Sequence, residues 1–161
     1  MAHGYGTLGF MVIVILYIGI GVLSAIGCIV LFRKALSPKA EQNCYGLLLI
    51  AVAAFYLAFG AYFEVDTAWR VEIFAVVGFI VLGLLGTRFP SVLIIGYALH
   101  GTWDLLHELQ GHGVHTPFEA GQLTAIPLAY GFFCVSFDFY VAGYFYTRRK
   151  EWELASAGAK S

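Results

Sequence analysis

Five stretches of mostly apolar residues divide this chain, each near the length of about 20 residues that a helix needs to cross a bilayer core. They run over residues 8–32, 44–63, 69–86, 91–109 and 123–146. Lipid offers no hydrogen-bond partner to a backbone, so each stretch is predicted to be helical. Composition agrees: 60% of the 161 residues are hydrophobic and 12% are charged, against about 25% charged in an ordinary soluble domain. The expected fold class is an all-α membrane bundle of about five transmembrane helices. It forms one domain over residues 1–147, with a basic tail over 148–161 expected to be unstructured.

Orientation follows from the basic residues. Arg33, Lys34, Lys39, Arg88, Arg148, Arg149, Lys150 and Lys160 fall in the odd connections and the tail, and Arg70 alone falls at the other side. Basic loops stay in the cytoplasm, so the N-terminus is expected outside and the C-terminus inside. The first apolar run lacks a basic n-region and is too long for a signal-peptide core, so it reads as a retained helix. Cys28, Cys44 and Cys134 show no disulfide or zinc spacing and read as small apolar residues. Glycines inside the spans let membrane helices approach closely.

The fourth stretch breaks the apolar rule. It contains His100, Asp104, His107 and Glu108, and ionisable groups within a membrane usually mark function. At about 100° per residue, Asp104 lies about 40° from His100, and His107 about 20° to the other side. These three share one stripe about 10 Å long, with Glu108 on its edge. Asp138 lies deep in the fifth stretch. Glu64, Asp66 and Glu72 lie near the outer ends of the second and third, and Tyr56 and Tyr62 are within reach of the same cavity. No Lys or Arg lies deep in any stretch to neutralise these acids. Carboxylates so placed must be protonated, hydrogen-bonded or bound to a cation. Imidazole beside carboxylate suits metal ligation or proton transfer.

The candidate catalytic groups are therefore His100, Asp104, His107 and Asp138. The candidate ligands for a divalent metal ion are His100, Asp104, His107, Glu108, Glu64 and Glu72. The plainer alternative is a set of hydrogen bonds that tie helices together, with Asp138 bonded to His100 or Tyr97. Trp69, Trp103 and Trp152 suit an interfacial belt. His112 and His115, with Glu119, read as a solvated loop, or as a patch that collects metal ions or senses pH. Pro127 sits near the expected start of the fifth helix. The chain has no phosphate loop and no nucleophile elbow. Only His100 is deep enough for a haem ligand, which argues against a bis-histidine haem. The net charge of −1 argues against nucleic acid.

The run Leu99-His100-Gly101-Thr102-Trp103-Asp104-Leu105-Leu106-His107 resembles the signature helix of a family of small polytopic bacterial membrane proteins, classed as a domain of unknown function. That family reads Leu-His-x-x-Trp-Asp-x-x-His, then a loop, then a last helix with an aspartate shortly after a cysteine. Cys134 and Asp138 fit the last feature. The resemblance covers about the second half of the chain and carries no activity with it. It departs at His107-Glu108, where the family often has two adjacent histidines. It implies a bacterial inner-membrane protein whose positions of interest are His100, Asp104, His107 and Asp138.

The leading expectation is a membrane-embedded enzyme, metal-dependent or acid–base, acting on a lipophilic substrate such as an isoprenoid or lipid. Its partners would be membrane lipid and that substrate or a cation. A second expectation is a proton or metal-ion transporter using the same acids as a relay; at this size it would work as a homo-oligomer. A third is a structural subunit of a larger membrane complex.

Overall fold

The computed structural model describes residues 6–158. It contains five helices: α1 (Thr7–Ala35), α2 (Pro38–Tyr62), α3 (Trp69–Gly86), α4 (Pro90–Gly111) and α5 (Tyr130–Gly158). A short 3-10 helix, Asp66–Ala68, precedes α3, and no strand occurs among the described residues. α1, α2 and the segment Asp66–Gly86 are each long and apolar enough to cross a membrane. α4 and α5 have 22 and 29 residues, and α4 carries the polar stripe.

The chain is built inside out relative to a soluble protein. Glu41, Gln42, Glu72, His100, Asp104, His107, Glu108 and Asp138 are buried. Leu8, Leu23, Phe74 and Leu84 are largely exposed on the helix exteriors. Such a surface would be unstable in water, whereas in hydrocarbon it is the favoured arrangement. α4 lies at the centre and packs against α5, α3 and α2, while α1 stands outside and packs mainly on α5. Close approach needs glycine at two crossings. A Cβ on Gly46 of α2 would lie 2.6 Å from the Gly83 carbonyl oxygen of α3, and the reverse contact is equally short. A Cβ on Gly131 of α5 would lie 2.7 Å from the Asp104 carbonyl oxygen of α4. No side chain fits at either place, so these glycines set the helix separation.

Helix ends differ from the sequence expectation in three places. α2 starts six residues before residue 44 because Ser37 caps it, accepting from the Ala40 N–H at 3.4 Å, and Pro38 occupies the first turn. α5 starts at Tyr130 rather than near residue 123. Residues 123–129 are held in a loop that contains Pro127 and ends at Ala129, whose φ of 58° is left-handed. The tail expected to be unstructured from residue 148 instead continues α5 through Gly158; Lys160 lies outside the described residues.

The extra turns of α2 and α5 explain each other. Glu41 is fully buried and accepts from Arg148 Nη2 at 2.9 Å, from Trp152 Nε1 at 3.1 Å and from the Tyr144 hydroxyl. Trp152 is thus a fully buried member of the core, not a belt residue. Its ring packs against Tyr45 and Phe145. Removing one partner of a buried ion pair leaves an uncompensated charge and costs about 3–5 kcal/mol, whereas replacing both by apolar groups is often nearly neutral. Arg148→Ala is therefore expected to lower the thermal unfolding midpoint in detergent far more than the double replacement Glu41→Leu/Arg148→Met. Equal midpoints for the two variants would show that the ion pair does not hold the end of α5.

Candidate functional site

α4 turns its polar stripe towards α2, α3 and α5 and leaves the apolar Ile95 and Leu99 exposed on its outer side. Asp138, one-third of the way along α5, faces it. His100 Nδ1 lies 2.8 Å from Asp138 Oδ2 and 2.9 Å from Asp104 Oδ2. A carboxylate only accepts, so Nδ1 carries the hydrogen and donates it to Asp138. Tyr56 of α2 donates its hydroxyl hydrogen to the other oxygen of Asp104, Oδ1. His100, Asp104, Asp138 and Tyr56 are all buried. One ligand-type atom from each of His100, Asp104 and Asp138 falls within 4.8 Å of the others, a spacing that could hold a metal ion.

Two atoms of this centre are left over. Asp104 Oδ2 and His100 Nε2 are buried and have no hydrogen-bond partner. None of the described ion pairs joins either aspartate to a Lys or Arg. Two like charges about 4 Å apart repel by about 4 kcal/mol at an effective dielectric of 20. The cluster therefore needs a proton or a cation beyond the one imidazole hydrogen. The vacant lone pair of Asp104 is the acceptor available for it.

His107 does not join this group, although it shares the stripe. Its Nδ1 lies 2.9 Å from the Trp103 carbonyl one turn back, which requires a hydrogen on Nδ1. Its Nε2 lies 2.8 Å from Glu72 Oε1 of α3. One proton lies between them, as imidazolium with carboxylate or as imidazole with carboxylic acid. The same Glu72 oxygen accepts the Thr124 N–H at 2.8 Å. The pair thus pins the 112–129 loop over the end of the bundle. The Tyr56 ring separates the two groups, 4.4 Å from the His107 ring and 6.0 Å from the His100 ring, measured between centroids.

Other sequence candidates fall outside the centre. Glu108 accepts the Gly131 N–H at 2.9 Å in the first turn of α5 and binds His112 at 2.9 Å, so it caps α5. Glu64 is exposed in the turn after α2, with φ 54°, and is not part of the metal-type group. Asp66 is exposed, and Tyr62 is 79% exposed and faces outward. Tyr97 donates to the Tyr45 carbonyl rather than to Asp138. His115 and Glu119 are exposed, as expected of a solvated loop. Trp103 packs edge-on against His107 and Phe118. A cavity of about 470 Å³ under the loop is lined by His107, Glu108, His112 and Thr124 among others.

Two contributors were invisible in the sequence. Phe79 of α3 packs edge-on against the His100 ring at 4.9 Å; as one apolar residue in an apolar run it carries no signal. Thr124 contributes through its backbone, which no side-chain pattern reveals.

A helical bundle with buried imidazole–carboxylate groups, inside an apolar exterior, is the class of protein that fold and site define. The chain belongs to a family of unknown function (DUF6010), whose model matches residues 15–151. The match therefore extends well beyond the second half of the chain. No curated protein and no solved structure matches it.

Glu72→Ala would leave the His107 ring nitrogen and the Thr124 N–H without an acceptor, at about 1–3 kcal/mol for each buried orphan. Hydrogen exchange is expected to speed up selectively across residues 112–129. Unchanged protection of that loop would show that Glu72 does not pin it.

Proposed function

We propose that the chain is an integral membrane enzyme in which His100 transfers a proton to or from a lipophilic substrate. The observation that carries this is the division of labour on one ring. Nδ1 is held by a carboxylate with a second carboxylate beside it, while Nε2 is buried and bare. A carboxylate on Nδ1 fixes the tautomer and stabilises the imidazolium, leaving Nε2 as the acid–base atom. Asp138 and Asp104 are the polarising partners, and Tyr56 orients Asp104.

An apolar cleft of about 340 Å³ between α3 and α4 supports a lipophilic substrate. Phe79 lines it and also packs on His100. The cleft's walls include Phe74, Leu82, Leu99 and Trp103, suited to an isoprenoid or acyl chain arriving from the bilayer. The relay reading is less favoured because Tyr45, Leu49, Leu93, Tyr97 and Phe145 close the bundle beyond the centre with a buried apolar plug. On this reading all five helices cross the bilayer. The distribution of basic residues supports an N-terminus outside and an inner-membrane location.

A second reading is a divalent-metal centre, favoured by the spacing of His100, Asp104 and Asp138. Ligands at right angles on bonds of about 2.1 Å stand about 3 Å apart, close to the 2.8 and 2.9 Å seen here. A bound cation would supply Lewis-acid chemistry and offset the two carboxylates. Against it, a ligating imidazole almost always has a partner on its other nitrogen, and His100 Nε2 has none.

The test compares lipid extracts from cells expressing the wild type, His100→Gln, Asp138→Asn and Gly78→Leu. A Cβ on Gly78 meets nothing within 4 Å, so leucine there fills the cleft without disturbing the helices. A lipid species altered by the wild type and by none of the three variants is the expected result. Extracts that all variants change as the wild type does would sink the enzyme reading. Metal analysis of the purified protein separates the two chemistries: a stoichiometric ion lost in Asp104→Asn would favour the second.

A further inference from the structure

A second cavity, about 540 Å³, lies on the far side of the bundle from the α3–α4 cleft, in a groove between α1 and α5. Ile26, Ile29 and Arg33 line it from α1, and Tyr140, Gly143 and Thr147 from α5. The spacings are three and four residues on each helix, so each set forms one stripe down a helix face. Each stripe covers about 10 Å along its axis. The groove is thus a straight slot that is apolar for most of its length and cationic at one end.

The position of the cation is the informative part. Arg33 lies in the last turn of α1, beside Lys34. On α5, Thr147 immediately precedes Arg148, Arg149 and Lys150. The cationic mouth therefore sits in the basic layer that marks one membrane surface, and the slot runs from there towards the hydrocarbon. Arg148 is occupied by Glu41 and Glu151. Arg33 is exposed and joins no carboxylate among the described residues. A guanidinium at headgroup depth above an apolar slot complements a phosphate carrying an acyl chain.

We propose that the α1–α5 groove is a binding site for an anionic phospholipid of the surrounding bilayer, with an acyl chain in the slot and the phosphate on Arg33. The site is separate from His100 and does not depend on the proposed chemistry. Gly143 makes the slot: a Cβ there would meet nothing within 4 Å. A larger side chain at 143 occupies the lipid's space without touching the helix packing.

The experiment is native mass spectrometry of the full chain released from detergent. Phosphatidylglycerol and phosphatidylcholine with the same acyl chains are offered at equal concentration. The wild type is expected to retain phosphatidylglycerol preferentially. Arg33→Gln is expected to reduce that binding about fivefold, as fits loss of one basic contact to an anionic lipid, and to erase the preference. Gly143→Leu is expected to reduce binding of both lipids, with the unfolding midpoint unchanged. Wild-type binding and preference in Arg33→Gln would overturn the proposal, even if Gly143→Leu failed to fold. A dimer that Gly143→Leu dissociates would also overturn it, by making the groove an interface between copies.

Discussion

The structure turns on one hydrogen shared too widely: two aspartates and a single imidazole N–H, buried where no arginine or lysine is at hand. Asp104 and Asp138 reach the same nitrogen from α4 and α5. Water would relieve their repulsion, and lipid cannot. The bundle responds by surrounding the group with partners of limited charge. Tyr56 of α2 gives a hydroxyl hydrogen to Asp104, and Phe79 of α3 presents a ring edge to His100. α2, α3 and α5 thus each supply one side chain to the centre, and α4 supplies two. That convergence explains why α4 sits in the middle while α1 stands apart.

The two ends of the bundle handle buried acid differently. At the basic end Glu41 has a full cation, and its remaining lone pairs are taken by Trp152 and Tyr144. An acid so completely satisfied is a fastening, and it extends α5 beyond the point where sequence alone would end it. At the other end Glu72 and Glu108 are also engaged, by His107, Thr124 and the first turn of α5. They fasten a loop and a helix end. Glu72 also keeps one vacant oxygen, but both ring nitrogens of its His107 partner are engaged; the middle group combines a vacant carboxylate oxygen with a vacant ring nitrogen. Unmet hydrogen-bonding capacity in a buried site costs stability, and the pairing of a free acceptor oxygen with a free ring nitrogen distinguishes His100 and Asp104 from the fastenings around them.

The helical architecture was legible because hydrophobic length is a strong signal, and seven of the ten helix starts and ends lie within three residues of the ends of the apolar runs. What sequence could not place were features fixed by contacts distant along the chain. Glu41 and Arg148 are separated by 107 positions, so neither the early start of α2 nor the long α5 has a local signature. The helical wheel correctly put His100, Asp104 and His107 on one face. A shared face is not a shared site, however. His107 stands about two turns from His100, and the two rings turn to different helices, with Tyr56 between. Glu64 is exposed in the turn after α2 and lies outside the group formed by His100, Asp104 and Asp138.

If all five helices cross the bilayer, as proposed, α4 is the one least able to exist in lipid alone. An aspartate at the centre of an isolated span costs about 2.5–3.5 kcal/mol for insertion, and α4 carries Asp104 together with Glu108, His100 and His107. It becomes tolerable only when α2, α3 and α5 have covered these groups, and Gly131 lets α5 approach closely enough to do so. An apolar residue at position 104 would make the span easier to insert and the bundle simpler to assemble. The polar contacts such a residue would remove are two, with the Tyr56 hydroxyl and the His100 ring, and His100 would keep Asp138. Packing alone therefore gives no reason for a carboxylate there. On the proposed function the vacant oxygen beside His100 supplies the reason, because chemistry on a substrate needs a group that the fold has left unsatisfied.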